Sequence, residues 1–344
     1  MNIEEAINQI LHEETMYWNH SDMEGMREIH VQMDQTRKHI KQLDGKVSLN
    51  FIRMMTGEDK SITYVRMQHK ENYRTCRSFQ HFDENGLLEL HSHGYIEMFY
   101  VVQGQVCQYI EGEHLKVEAG EFFLMSEQMY HLELHDASRD AIVIYFCLNK
   151  DYFHQIIKEV NSNSELATFY QVLHVKGKRG YLHIGSQDMG EETLIVSMLL
   201  ETFYHEIGYQ DIQLGLYKRL FHMLTQHHVQ AMVMKDESKE NQLTGELLYY
   251  LYEHKRKVTR QELAALFHYH EDHITRVLKK HTGLSLKEIN HMIILEEASF
   301  LLLNSNNSIN EIIRSLGFIN DTNFYQMFYK RYGKTPAEYR NVVK

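Results

Sequence analysis

The sequence predicts an α+β multidomain chain: an N-terminal β-barrel with flanking helices, then an all-α domain containing two helix-turn-helix units. Three observations predict it. Between Ser61 and Leu148, short runs of β-branched and aromatic residues are punctuated by glycines, the pattern of many short strands closing a sandwich or barrel. From Leu194 to Leu224, apolar residues recur at helical intervals instead. After Thr259, the order of cap, short amphipathic helix, break and second amphipathic helix occurs twice.

Composition sets the bounds. The 344 residues give room for two or three compact units, and 43% apolar with 24% charged residues is the balance of a globular protein, which excludes fibrous and disordered chains. The longest apolar runs, such as Ala141 to Leu148, fall far short of the roughly 20 residues of a membrane span. The acidic start Met1-Asn2-Ile3-Glu4-Glu5 is no signal peptide, so a cytoplasmic protein without membrane contact is expected. Cys76, Cys107 and Cys147 form no CxxC pair and are expected to be reduced. The 24 histidines are scattered and read mainly as polar surface and core. Net charge is −11, yet Glu240 to Lys344 holds 14 Lys and Arg against 12 Asp and Glu; that +2 leaves −13 for residues 1–239. Contact with nucleic acid must therefore come from local basic clusters in the C-terminal part.

Taken in order, residues 1–57 carry two helix-like patterns, Ile3, Ile7, Ile10 and Leu11, then Met26, Ile29, Met33 and Ile40, and are expected to form a helical extension. Residues 58–188 hold the barrel strands, among them Met98–Val102, Gly120–Met125, Ala141–Phe146 and Gly180–Ile184. Residues 189–233 read as helices that cover the barrel or pair with a second subunit. Residues 234–242 are polar and read as an exposed linker, and residues 243–344 are the helical domain.

Within that domain, Thr259 with Glu262 reads as a capping box for a helix that turns Leu263, Leu266 and Phe267 inward. The next helix, about Glu271 to His281, seats Ile274, Val277 and Leu278 and presents His273, Thr275, Arg276, Lys279 and Lys280. A recognition helix is built this way, because apolar residues anchor it while basic and polar ones reach base edges and phosphates. The second unit starts at Ser308 and ends its first helix near Gly317. Its recognition helix, about Asp321 to Tyr332, seats Phe324 and Phe328 and offers Asn323, Tyr325, Gln326, Tyr329 and Lys330. The single proline, Pro336, falls at the first position of the last helix, where its missing N–H costs nothing.

With Ile309, Glu311, Ile312, Gly317, Phe318, Phe324, Phe328, Gly333, Thr335, Pro336, Tyr339 and Arg340 at these spacings, residues 243–340 resemble the DNA-binding domain of the AraC/XylS family of transcription regulators. The resemblance implies a helix of about Leu286 to Leu303 joining the units, with both recognition helices in successive major grooves. It departs from the family at Tyr325-Gln326, at Tyr329 and at Ile293, where cations are usual, so the first unit is expected to supply most phosphate contacts.

His91, His93 and Glu97 share parity and on a continuous strand would project from one face, followed there by Phe99. With Gly86, Gly104, Gly120–Met125 and His131, they resemble the two motifs of the cupin barrel. That resemblance implies a ligand pocket of His91, His93, Glu97, Phe99 and His131, with His91, His93, Glu97 and His131 as the metal-ligand positions. Imidazoles with one carboxylate suit Zn, Mn, Fe or Ni. A pocket without metal is the other reading, and no cofactor is required by it; Ser126 and Gln128 stand where the second motif has proline and glycine. The function expected from both resemblances is a non-enzymatic, sequence-specific DNA-binding regulator. It would act as a homodimer, be controlled by a sugar or related metabolite in the barrel, and have double-stranded DNA and RNA polymerase as partners. A metal-dependent cupin enzyme, or a regulator whose barrel only dimerises, are the alternatives.

Overall fold

In the computed structural model the described residues are all except 19–39, 42, 44, 57–61, 71–72, 83–87, 111, 135–139, 161–163, 174–177, 188–189, 237, 319–320 and 342–344. The second N-terminal helical pattern, through Met26, Ile29 and Met33, lies outside them.

Two sheets face each other. One runs β1 (Ile40–Lys41), β5 (Leu88–His93), β10 (His131–Leu134), β7 (Gln105–Ile110), β8 (Glu113–Glu118). The other runs β13 (Val229–Asp236), β12 (Lys178–Ile184), β9 (Phe122–Met125), β6 (Ile96–Gln103), β11 (Ala141–Leu148), β2 (Val47–Thr56), β3 (Ile62–Lys70), β4 (Tyr73–Phe82). The alternation of side chains along each strand divides the core in two. Ala141, Val143 and Tyr145 of β11, with Phe99, Val101, Phe123 and Tyr181, fill the space between the sheets. Ile142, Ile144, Phe146 and Leu148 point the other way, under helices. Burial on both faces is why β11 is continuously apolar in sequence.

The helices over the eight-stranded sheet include α1 (Ile3–Trp18), α2 (Lys150–Ile157), α4 (Glu191–Tyr204) and α5 (Tyr209–Leu224); α3 (Glu165–Leu173) lies against β12 and β13. The amphipathic pattern of α1 buries Ile3, Ala6, Ile7 and Ile10 in that layer, and Gln9 bonds the Tyr204 hydroxyl of α4 at 2.9 Å.

The opposite layer is the helical domain. Its first unit comprises α6 (Lys239–His254), α7 (Arg260–Phe267) and α8 (Glu271–Thr282); α9 (Leu286–Asn304) leads to the second unit, α10 (Ile309–Ser315), α11 (Asp321–Tyr332) and α12 (Pro336–Asn341). Thr259 caps α7 by accepting from the Glu262 N–H, and Ser308 with Glu311 forms a full capping box on α10. Phe324, Phe328, Ile312, Ile313 and Leu316 close the second core around the end of α9.

Three sequence boundaries need correction. Residues 1–57 are not a helical extension throughout, since Val47–Thr56 is β2, paired with both β11 and β3. The 189–233 segment ends in strand, because β13 pairs with β12. The expected linker 234–242 is divided between the end of β13 and the first turn of α6, with Ser238 as its N-cap. Among the described residues no helix is long and apolar enough to cross a membrane.

Candidate functional site

Period-two alternation builds the barrel site. On β5, His91 and His93 face inward while Leu90 faces the helical domain; on β10, His131 and Glu133 face inward while Leu132 joins Leu90. The register sets His131 directly across from His91, with ring centroids 4.2 Å apart. His93 lies 4.7 Å from His91 and 4.9 Å from His131 by the same measure. Glu97 arrives from the other sheet and places a carboxylate oxygen 3.3 Å from His93 Nε2. The four sequence-predicted donors thus converge, and none exceeds 4% exposure. One nitrogen from each of His91, His93 and His131 lies within 4.8 Å of the others.

Two details differ from the sequence reading. The strand is not continuous: β5 ends at His93 and β6 begins at Ile96, so the chain crosses between sheets and the three residues meet across the interior. Phe99 does lie inside the barrel, but packed against Phe123 and Tyr145 at 5.4 and 5.6 Å.

The cluster has a fifth member. Glu133 is 3% exposed, and its carboxylate groups with Glu97 and His131 within 4.8 Å. Tyr145 donates to it at 3.1 Å and Gln108 at 3.5 Å. Its signal in the sequence was its parity with His131, two positions earlier. Two carboxylates this deep stay ionised only with compensating positive charge, from imidazolium or from a bound cation, and otherwise take up a proton. His131 Nδ1 lies 3.1 Å from the Met129 carbonyl, which can only accept, so Nδ1 carries a proton and Nε2 is the nitrogen that would hold the lone pair in the neutral ring.

Both motif departures have a local explanation. Ser126 bonds Gly180 twice, its N–H donating to the carbonyl and its hydroxyl accepting from the Gly180 N–H, each at 2.9 Å; a proline could not donate. Gln128 adopts φ +61°, the left-handed conformation that glycine favours.

The candidate nucleic-acid contacts lie on α8 and α11. On α8, Arg276, Lys279 and Lys280 are exposed, while Ile274, Val277 and Leu278 are buried as expected. His273 stacks on Tyr269 with centroids 5.1 Å apart and accepts from Arg276 at 2.8 Å. Thr275 is half-buried, and its hydroxyl bonds the Glu271 carbonyl of the preceding turn at 2.9 Å. On α11, Asn323, Gln326, Tyr329 and Lys330 are exposed, whereas Tyr325 packs partly into the second core.

Sequence reasoning missed the anions that hold the α8 cations. Glu240 lies 2.6 Å from Lys280, 3.5 Å from His281 and 3.9 Å from Arg276, and Glu288 lies 3.8 Å from Lys279. The hydrogen bond from Lys280 is the main cause that keeps the Glu240 carboxyl below the usual carboxylate range. Glu240 stood in the supposed linker, so nothing in the sequence placed it near α8.

Comparison with known proteins gives matches in both halves. A helix-turn-helix domain family matches residues 263–341, and a cupin domain family matches residues 78–146. The chain is 25% identical over 260 residues to the uncharacterized HTH-type transcriptional regulator YisR of Bacillus subtilis, covering 72% of this chain and 86% of that one. It is 21% identical over 253 residues to an uncharacterized HTH-type transcriptional regulator of Haemophilus influenzae, covering 71% and 85%. Among solved structures, ToxT of Vibrio cholerae aligns with a TM-score of 0.39 at 12% identity, covering 87% of this chain and 100% of that one.

Proposed function

We propose that the chain is a DNA-binding transcription regulator of the AraC type with an N-terminal cupin domain, and that occupancy of the buried barrel cluster controls how its two recognition helices meet DNA. The observation that carries this reading is that His91, His93 and His131 bring one nitrogen each within 4.8 Å of the others, with the Glu97 carboxylate 3.3 Å from His93. A divalent transition cation fits that donor set. Three imidazoles and a carboxylate are its ordinary ligands, and the His131 tautomer is the one a ligand needs. When bound, the ion would bring positive charge to the buried carboxylates and leave coordination positions for an oxygen-bearing metabolite, a sugar or related molecule.

A homodimer through α4 and α5 completes the proposal. The turn between these helices exposes Ile207 fully, and Ile212 in α5 is 44% exposed, apolar surface that a second copy could cover.

The test is thermal unfolding of metal-stripped protein with Mn2+, Fe2+ or Zn2+ added, then with sugars added to each. A cation at about 100 times its Kd should add about 2.7 kcal/mol of stability. The gain should be absent in His131→Gln. No stabilisation of the wild type by any cation or sugar overturns the barrel assignment.

A further inference from the structure

We propose that Glu133 is a specificity-determining fifth donor, selecting a six-coordinate ion such as Mn2+ or Fe2+ over four-coordinate Zn2+; this rests on the cluster being a cation site. Glu133 projects from β10 beside His131, and one oxygen of its carboxylate falls within 4.8 Å of donor atoms of both His131 and Glu97. Tyr145 and Gln108 orient it, the latter from the directly paired position on β7. Two triads share His131, namely His91–His93–His131 and Glu97–His131–Glu133; drawn onto one ion they would offer three nitrogens and two carboxylate oxygens, more than a tetrahedral ion accepts but suited to octahedral coordination with one position left. The two carboxylates also balance the charge of a dication in an interior where each is at most 4% exposed.

The experiment titrates Mn2+ and Zn2+ separately into metal-stripped full-length wild type, Glu133→Gln and Glu133→Asp by calorimetry, with the Mn2+ electron paramagnetic resonance spectrum as a second readout. Glu133→Gln should weaken Mn2+ by about tenfold or more and Zn2+ much less, with Glu133→Asp between. An equal loss for both ions would mean a merely structural role and overturns the proposal, as does no loss for either. If the wild type binds neither ion, the cation reading itself fails. If it binds both and the variants are unchanged, only Glu133 is misassigned.

A different observation, which needs no metal, carries a second inference: the first helix-turn-helix unit reads the state of the barrel through β5 and β10. These two strands have the cluster on one face and a shared core with the helical domain on the other. Leu90 and Leu132, each next in sequence to a cluster histidine, are buried with Leu247 and Leu251 of α6 and Ile274 of α8. The Tyr252 hydroxyl of α6 donates to the Leu90 carbonyl at 3.0 Å, and the Tyr109 hydroxyl of β7 donates to the Lys280 carbonyl of α8 at 3.0 Å. A close-packed core with hydrogen bonds at both ends transmits a shift of His91 against His131 to α6 and α8.

Hydrogen exchange on the full chain tests this. His131→Gln, a change on the inner face, should alter exchange by several-fold at 247–252 in α6 and in the last turn of α8. Val143→Ala, inside the same barrel but on the other sheet, should leave those amides within experimental error. Changes confined to the barrel in His131→Gln overturn the inference, and so do equal changes in both variants, which would report global destabilisation.

Discussion

Replacing Glu240 by glutamine should tighten DNA binding. The carboxylate sits 2.6 Å from Lys280 and 3.9 Å from Arg276 on the helix expected to enter the major groove. In bulk-water dielectric, Coulomb attraction at the 2.6 Å separation is ~1.6 kcal/mol. Glu240 is 31% and Lys280 59% exposed, so screening and side-chain entropy reduce the net pairing to ~0.2–1 kcal/mol. Freeing Lys280, and in part Arg276, therefore returns at most about 1 kcal/mol to phosphate contacts, roughly a fivefold gain in affinity at low salt. Each released cation that reaches a phosphate also steepens the slope of log K against log salt by about 0.9, so a change of about one is expected. Fluorescence anisotropy with a labelled duplex, repeated over a salt series, reads both quantities. Unchanged affinity together with an unchanged slope would show that α8 does not present these cations to DNA.

Other expectations concern stability. Gln128→Gly should raise it by ~0.5–1 kcal/mol in urea denaturation, since relief of the left-handed strain exceeds the entropy glycine adds to the unfolded chain. Gly283→Ala should cost ~2 kcal/mol or more, because φ there is +73° and a Cβ would meet the Tyr109 ring at 3.1 Å; adding Tyr109→Ala should recover the steric part but not the backbone part. Glu262 is pushed down to about 2, first by its hydrogen bond from Arg256, from an ordinary glutamate value of 4.5. Its folded value being the lower, the stabilisation is complete above 4.5 and lost as pH falls toward 2. With Glu262 29% exposed the effect is under about 1 kcal/mol, and Arg256→Gln should flatten that part of the stability profile.

What the sequence made legible follows from how local each cause is. Caps and amphipathic faces are local, so α8 to α12 and the buried positions Ile274, Phe324 and Phe328 were readable; on α7 Leu263 is buried as expected, but Leu266, expected inward, is exposed. The run Ala141–Leu148 was readable because both its faces are buried. Strand β2 was not, because its inward face carries Ser48 and Asn50; these bond each other at 3.0 Å, and Asn50 reaches Cys147 at 3.5 Å, which hides the alternation. The four motif donors were found by resemblance, while Glu133 needed the strand parity to be carried two residues past His131. The seating of α6 on Leu90 and Leu132 had no signature at all. Their alternation is that of any half-buried strand, and the partner residues lie more than a hundred positions away.

The central claim is that the barrel cluster governs DNA binding. It is tested most directly by measuring the affinity of the full chain, metal-stripped and Mn2+-loaded, for a genomic fragment recovered with the protein by chromatin pull-down. The expected result is a difference of about fivefold or more, a coupling of at least ~1 kcal/mol, in the wild type and none in His131→Gln. Equal affinities in the two states, with Mn2+ binding to the wild type demonstrated in the same samples, would contradict it.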